Sequence, residues 1–221
     1  MRTSSGSIVT LLLARLQAMP DRSSQDDRLF PPGGRVPMLA HGSVYLRAAE
    51  RSDIPTFVRW YTDLRTTQTL LMSSPMGHAA EERWFDQMLD AHGKDRWFFV
   101  ICRREDDRAV GGIDLHEVNL RSGSASLGIA IGDPADTGRG YGSDALLSLL
   151  GFGFGQLRLE RIELDVYDFN DRARRVYERV GFVHEGTLRR ALFRDGAFHD
   201  VHRMAILRDE WAARAEPEEG R

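Results

Sequence analysis

The sequence predicts one α+β domain built on a central mixed, mostly antiparallel β-sheet with flanking helices. Three strand-like runs, at 96–104, 108–118 and 124–133, follow one another with only short turns between them. A glycine-rich turn then opens an apolar helical pattern that leads into another strand, and a strand pair around RDG (194–196) closes the pattern. Short connections are typical of antiparallel strands, and a strand–helix–strand crossover is typical of parallel ones.

The first elements follow from residue spacing. SVYLRAA (43–49) alternates apolar and polar residues, which predicts a strand. Asp53 and Pro55 are typical of a helix start, so a helix is expected directly after that strand. Apolar residues at helical spacing predict a second helix over 81–93, ended by Gly93.

The elements after the glycine-rich turn are equally regular. The helix that the turn opens is expected to end near Phe154, and RIELDVYD (161–168) is expected to form a strand. Residues 170–181 predict a helix with Asn170 as its N-cap and Gly181 at its C-terminal end. The two terminal strands are predicted at 182–193 and 197–207.

Length and composition agree with one domain and restrict its partners. The chain has 221 residues, of which 42% are hydrophobic, so it can bury one core. Its 30 basic and 33 acidic residues give a formal net charge of −3, so neither nucleic acid nor a membrane is an expected partner. The single cysteine, Cys102, excludes an internal disulfide and a cysteine-based zinc site; no metal is expected, and the location is expected to be cytoplasmic.

The two ends of the chain differ from its middle. Residues 1–37 join a short apolar stretch, interrupted by Arg15, to a segment rich in polar residues, Pro and Gly. That stretch fits a signal peptide poorly and is too short to span a bilayer. We expect a flexible or docking extension over 1–37, the organised domain over 38–213, and a charged tail over 214–221.

The turn TGRGYGSDALLSLL (137–150) indicates a phosphate site. Glycines at a helix start let the backbone approach a ligand, and the first N–H groups and the helix dipole favour an anion. A P-loop is excluded because no lysine follows these glycines. GYGSDA (140–145) also fits a dinucleotide fingerprint, but only one more helix and an antiparallel pair remain, where that fold needs further β-α-β units.

From about residue 43 to 211 the chain resembles the GCN5-related N-acetyltransferase (GNAT) family. Residues 132–150 look like the acetyl-CoA pyrophosphate loop, although Thr137 stands where the family has Gln or Arg. The segment after it matches the pattern Asn-x-x-Ala-x-x-x-Tyr-Glu-x-x-Gly-Phe from Asn170 to Phe182. The end of the domain is similar to the subgroup of ribosomal-protein N-terminal acetyltransferases and polyamine acetyltransferases.

This resemblance implies an acetyl-CoA-dependent N-acetyltransferase that transfers the acetyl group directly to a primary amine. A protein N-terminus and a small amine or polyamine remain open as the acceptor. The alternative is a non-catalytic acyl-CoA-binding or sensor protein of the same fold. Members of the subgroup are often dimers, so the resemblance also allows a homodimer.

The resemblance further implies that the two middle strands splay and that pantetheine lies between them, bonded to main chain. A main-chain amide near Ile131 would then face the thioester oxygen, Arg139 would add charge at the pyrophosphate, and Arg172 would approach the 3′-phosphate. Asn170 would bond the amide arm of the cofactor, cap its helix, or do both. The full cofactor-binding set is Ala130, Ile131, Gly132, Gly138, Arg139, Gly140, Tyr141, Gly142, Ser143, Asn170, Arg172 and Ala173.

Two residues are expected to carry the chemistry. Tyr177 lies where the family keeps a general acid, and a phenol can donate a proton to a thiolate leaving group; the alternative is a core aromatic. Glu117, at the end of the second meander strand, is the expected base. Asp114 and His116 are alternatives, and strict alternation along the strand places both on the face opposite Glu117.

The acceptor pocket is expected to be shaped by three segments: residues 60–76, the helix that contains Trp84, and the loop region at 189–199. A polyamine acceptor favours a cluster of carboxylates in this pocket. The sequence offers only Asp63 there.

Overall fold

One sheet of eight strands organises the fold. The strands are β1 (Leu39–His41), β2 (Val44–Ala48), β3 (Trp97–Arg103), β4 (Ala109–Asn119), β5 (Ser124–Ile131), β6 (Arg161–Tyr167), β7 (Val183–Arg194) and β8 (Ala197–Leu207). Their order in the sheet is β1-β2-β3-β4-β5-β6-β8-β7. Because only the β5–β6 pair is parallel among these neighbours, the predicted mixed, mostly antiparallel sheet is confirmed.

This computed structural model describes residues 39–70 and 75–215, all within one compact unit of the chain. The predicted extension at 1–37 lies outside the described residues, as do residues 216–221 of the predicted tail. The first two residues of that tail belong to the last helix. Across the described ranges, no helix is both long and apolar enough to cross a bilayer.

Helices cover both faces of the sheet. They are α1 (Ile54–Tyr61), α2 (Leu64–Thr67), α3 (His78–Ala91), α4 (Tyr141–Gly155), α5 (Asp171–Val180) and α6 (Arg208–Ala215). The longer helices match the predicted ones. The sequence pattern does not predict β1, α2 and α6, because such short elements hold too few turns or alternations to show a period.

The sheet separates two hydrophobic clusters, and β3 contributes to both. Phe99 and Ile101 join the larger cluster with α4, whereas Phe98, Val100 and Cys102 join the cluster with α1 and α3. Successive strand residues point to opposite faces, so a strand buried on both sides consists of apolar residues throughout. We call the two sides of the sheet the α4 face and the α1/α3 face.

The parallel pair β5–β6 is joined only at its beginning. Ser124, Ala125 and Ser126 of β5 lie opposite Arg161, Ile162 and Glu163 of β6. Beyond them β5 stays paired with β4 as far as Ile131, and β6 stays paired with β8 as far as Tyr167. The two strands therefore diverge over 127–131 and 164–167, as expected. We call this opening the strand gap.

Candidate active site

The β5 side of the strand gap presents unpaired main-chain groups. The N–H of Gly132 donates to the carbonyl oxygen of Val110 at 2.9 Å, which fixes the phase of hydrogen bonding between β4 and β5. Because this bonding alternates along an antiparallel pair, the peptide groups of Leu127, Ile129 and Ile131 point away from β4 and into the gap. Such an edge inside a sheet is suited to an extended ligand that bonds as a strand does.

The same alternation corrects one expectation. The peptide groups of Ala130 point toward β4, and Gly132 uses both of its own, since its carbonyl accepts a hydrogen bond from Thr66 Oγ1 at 2.8 Å. Of the three residues expected to bond pantetheine through main chain, only Ile131 faces the gap. Sequence reasoning missed Ile129, because the phase depends on the register with β4.

The glycine-rich turn between β5 and α4 has the predicted backbone. Gly138 and Gly140 have φ angles of +82° and +87°, a region that side chains disfavour. Gly140 is the N-cap of α4, and no side chain caps the helix. The first hydrogen bond of the helix runs from the N–H of Asp144 to the carbonyl oxygen of Gly140. The N–H groups of residues 141–143 therefore have no partner within the helix.

Two charged side chains at this turn are held by hydrogen bonds to neighbouring segments. Arg139 Nε donates to the carbonyl oxygen of Ala135 at 2.9 Å. The carboxylate of Asp144 accepts hydrogen bonds from the N–H and the hydroxyl of Ser43, at 2.8 and 2.7 Å. The turn thus presents backbone N–H groups without a carboxylate competing for them.

The start of α5 lies beside the end of β6. Asn170 Oδ1 accepts a hydrogen bond from the N–H of Ala173 at 3.2 Å, so the predicted N-cap is confirmed. Arg172 is exposed in the first turn of the same helix. This placement sets both side chains near the open end of the strand gap.

Tyr177 lies further along α5 and packs against the cluster on the α4 face. Its ring meets that of Phe182 edge-on, with 5.9 Å between the ring centres. Burial raises the pKa of the Tyr177 phenol to about 12, which keeps it protonated near neutral pH. The residue is thus partly a core aromatic and still holds a transferable proton.

A β-bulge in β4 changes the position of Glu117. The register between β4 and β5 shifts between His116 and Asn119, and Glu117 has a φ of +52°. Ser126 Oγ donates to Glu117 Oε2 at 3.1 Å, and Ser126 lies opposite His116. Glu117 therefore shares a face with His116, and the expectation of opposite faces is wrong, because the bulge adds one residue to the alternation.

Asp114 lies on the α1/α3 face in front of the strand gap. A Cβ added to Gly128, its partner on β5, would be 2.6 Å from Asp114 Oδ1. The carboxylate is 3.3 Å from Arg96 Nε and 3.4 Å from His116 Nδ1. The glycine at 128 leaves room for this carboxylate over β5.

A second carboxylate on this face, Glu81 in the first part of α3, is fully buried. Neither of its oxygens has a hydrogen-bond partner among the described residues. Burial raises the pKa of Glu81 to about 7. The pKa of the Tyr61 phenol is raised by burial and then by the charges of Glu81 and Asp114, so the three groups are close enough to interact. Sequence reasoning missed Glu81, because it reads as a solvated residue near a helix start.

Asp63 does not supply free negative charge. It is the N-cap of α2 and accepts a hydrogen bond from the N–H of Arg65 at 2.9 Å. Its carboxylate also pairs with the Arg65 guanidinium at 2.7 Å, and these bonds lower the pKa of Asp63. The carboxylate that the sequence offered for a polyamine is therefore a helix cap.

No group of three or more His, Cys, Asp or Glu side chains within 39–70 and 75–215 is arranged to hold a metal ion. The site consists of a strand-like edge, a turn with free N–H groups, a partly buried phenol and carboxylates on the α1/α3 face. The site can bind an extended ligand that carries a phosphate, and it can accept and donate protons at the inner end of the strand gap.

Comparison with known proteins gives consistent matches. Residues 43–183 match the family model described as an acetyltransferase (GNAT) domain. The chain is similar to the spermidine N(1)-acetyltransferase of Vibrio cholerae serotype O1, at 31% identity over 77% of this chain and 96% of that protein. It is also similar to a putative ribosomal N-acetyltransferase, YdaF of Bacillus subtilis, at 31% identity over 58% of this chain and 67% of that protein.

Among solved structures, the fold is similar to that of spermidine N-acetyltransferase from Vibrio cholerae in complex with CoA and spermine. The TM-score is 0.71, with 27% sequence identity, over 77% of this chain and 98% of that one.

Proposed function

Since the chain belongs to the GNAT acetyltransferase family, we propose that it transfers the acetyl group of acetyl-CoA directly to a primary amine inside the strand gap. The observation that carries this proposal is the junction of two features. The unpaired edge of β5 ends at the turn that presents free N–H groups at the start of α4. An extended arm with a pyrophosphate at one end fits both features at once.

The cofactor-binding residues follow from this junction. Backbone N–H groups of residues 138–143 hold the pyrophosphate, supported by the α4 dipole. Pantetheine bonds to the peptide groups of Ile131 and Ile129 as an additional strand would. Arg139 and Arg172 supply positive charge to the outer phosphates, and Ala173 contacts the cofactor at the start of α5.

The reaction forms an N–C bond and breaks the C–S bond of the thioester. A carboxylate on β4 removes a proton from the acceptor ammonium, and the amine lone pair attacks the carbonyl carbon. A main-chain N–H at the gap edge stabilises the negative charge on the carbonyl oxygen. Tyr177 donates its proton to the departing thiolate and regains one from solvent.

Direct transfer is favoured over an acyl-enzyme. Cys102, the one cysteine of the sequence, is fully buried in β3 on the α1/α3 side and is not part of the β5 edge. A buried thiol is a poor nucleophile because burial raises the pKa of Cys102 and so suppresses its thiolate. The amine itself is then the attacking group.

We assign the base to Glu117, which the bulge turns to the α1/α3 face. There it lies beside Ser126, which with Glu163 forms the last residue pair between β5 and β6 before the strand gap. The acceptor is a small aliphatic amine of the polyamine class. The exposed carboxylate of Glu117 places negative charge on this face, which attracts an ammonium group. The similarity to spermidine acetyltransferases supports the same choice.

The proposal is tested with acetyl-CoA and a matched set of amines, with mass spectrometry to identify acetylated products. The set contains spermidine, n-butylamine and short peptides with free N-termini. Acetylation of the aliphatic amines is expected, while preferred acetylation of the peptides would assign the enzyme to protein N-termini. Binding of acetyl-CoA with no product from any amine would support the sensor alternative.

A further inference from the structure

The segment 64–70, made of α2 and the turn after it, is bound to the cofactor strand at one side. Thr66 Oγ1 donates to the carbonyl oxygen of Gly132 at the end of β5, and Thr66 is buried. The ring of Trp60 lies against the same glycine. The segment is thereby fixed to the end of the strand that borders the gap.

The other side of this segment is bound to the β7–β8 hairpin through Arg194. Arg194 Nη1 donates to the carbonyl oxygens of Thr67, at 3.0 Å, and of Gln68. Its Nη2 donates to the carbonyl oxygen of Leu70 at 2.8 Å. A cation is favoured where helical carbonyls lack partners, and the fork of a guanidinium can serve several of them.

The hairpin is paired with β6, the strand that borders the gap opposite β5. Arg194 ends β7 opposite Ala197, and β8 pairs with β6 from Arg161 to Tyr167. Burial raises the pKa of the Tyr167 phenol at the end of β6, and the positive charge of Arg194 opposes this shift, in agreement with a guanidinium near the end of that strand. Tyr167 points to the α1/α3 face, because Val166 beside it is in the α4-face cluster.

These contacts form a closed ring around the open end of the strand gap on the α1/α3 face. Its members in order are the end of β5, the segment 64–70, Arg194, the β7–β8 hairpin and the end of β6. Within the described residues, the side chains of Thr66 and Arg194 join these members to one another. An acceptor that enters this end of the gap from the α1/α3 face meets the ring.

We infer that Arg194 is a positioning residue that closes this ring, and that the ring selects an acceptor whose amine ends an unbranched chain. The inference rests on the proposed function, since it concerns the acceptor of the same site. A ring held by hydrogen bonds on both sides widens little, so a substituent beside the amine meets its wall. Branched and bulky amines are therefore excluded by shape, whereas a linear amine passes.

The test compares n-butylamine with sec-butylamine, which differ only in branching beside the amine. In the wild-type enzyme kcat/KM is expected to favour the linear amine by at least about tenfold, a usual range for discrimination by shape. Arg194→Ala opens the ring, so this ratio should fall toward one, and the KM for acetyl-CoA should stay within about twofold. Arg194→Lys keeps the charge but places its donors on one nitrogen instead of on the fork of Nη1 and Nη2, so it should give an intermediate ratio.

Arg190→Ala is the matched control. Arg190 is exposed on the same strand, and its guanidinium lies 5.1 Å from the centre of the Phe198 ring. It takes no part in the three hydrogen bonds that join the hairpin to the segment 64–70. This variant should keep the wild-type ratio. An unchanged ratio in Arg194→Ala, or an equal change in Arg190→Ala, would overturn the inference.

Two outcomes separate this inference from the proposed function. If the wild-type enzyme acetylates no amine, the proposed function fails. If it acetylates both butylamines equally well, the proposed function stands and the inference fails. Thermal unfolding checks each variant, and Arg194→Lys decides the question by its ratio if Arg194→Ala does not fold.

Discussion

Trp60 and Gly132 are in direct contact: a Cβ on Gly132 would lie 2.0 Å from Cδ2 of the indole. Trp60 belongs to the cluster under α1 and α3, and Gly132 ends the strand that borders the gap. We expect Gly132→Ala to displace the indole and lower the free energy of unfolding by about 1–3 kcal/mol. Urea unfolding measures this change.

Gly151→Ala is the control for that variant. Gly151 is exposed in the middle of α4, and a Cβ there meets no atom within 4 Å. Alanine should raise the free energy of unfolding by about 0.5–1 kcal/mol at this position. If Gly132→Ala were as stable as the wild type, the close packing of Trp60 on β5 would be wrong.

Gly140→Ala should weaken acetyl-CoA binding. Gly140 has a φ of +87°, and a side chain there strains the turn that presents the N–H groups of α4. A cost of about 1–2 kcal/mol at the turn corresponds to roughly a tenfold rise in the Kd for acetyl-CoA. Isothermal titration calorimetry measures it.

The comparison variant for this turn is Gly93→Ala. Gly93, just after α3, has a φ of +78° and no atom within 4 Å of an added Cβ, so it suffers similar strain away from the strand gap. Its Kd should match that of the wild type. Equal weakening in both variants would mean that strain in general, rather than the turn, controls binding.

Local features of the fold could be predicted from the sequence, and so could the backbone of the glycine-rich turn. The glycines at 138 and 140, the cap at Asn170 and the meander of β3, β4 and β5 each depend on a few neighbouring residues. Periodicity and turn chemistry describe such short-range features well.

Features that depend on distant pairing were missed or predicted wrongly. The bulge at Glu117 adds one residue to a strand, and no change of composition marks it. The packing and the carbonyl hydrogen bond of Gly132 depend on Trp60 and Thr66, which are far from it in sequence. Burial of Glu81 depends on packing of α3 against the sheet, since a glutamate near a helix start is usually solvated.

Glu81→Gln should change how stability depends on pH. Burial raises the pKa of Glu81 from 4.5 to about 7, so the folded protein holds a proton that the unfolded chain releases. The stability that this proton provides is complete below pH 4.5 and is lost as the pH rises through 7. The wild type should lose about 3 kcal/mol relative to the variant across this window.

Urea unfolding at pH 5 and pH 8 measures that difference. The free energy of unfolding of Glu81→Gln, relative to that of the wild type, should be higher at pH 8 than at pH 5. Glu105→Gln, at an exposed position in the turn between β3 and β4, is the control and should show no such change. An equal difference in the free energy of unfolding between variant and wild type at both pH values would contradict an unpartnered buried carboxylate at Glu81.

Glu117→Gln should lower kcat by about a hundredfold, because the amide cannot accept the ammonium proton. Asp114→Asn should have a smaller effect, since Arg96 already neutralises that carboxylate. Steady-state kinetics across pH separates the two. The reverse order of effects would assign the base to Asp114.

The most direct test of the account is Tyr177→Phe, assayed for thiol release with acetyl-CoA and an accepted amine. The variant keeps the ring that packs on Phe182 and removes only the hydroxyl. We predict that kcat falls by about a hundredfold while calorimetry gives an unchanged Kd for acetyl-CoA. An unchanged kcat would contradict proton donation by Tyr177 to the thiolate.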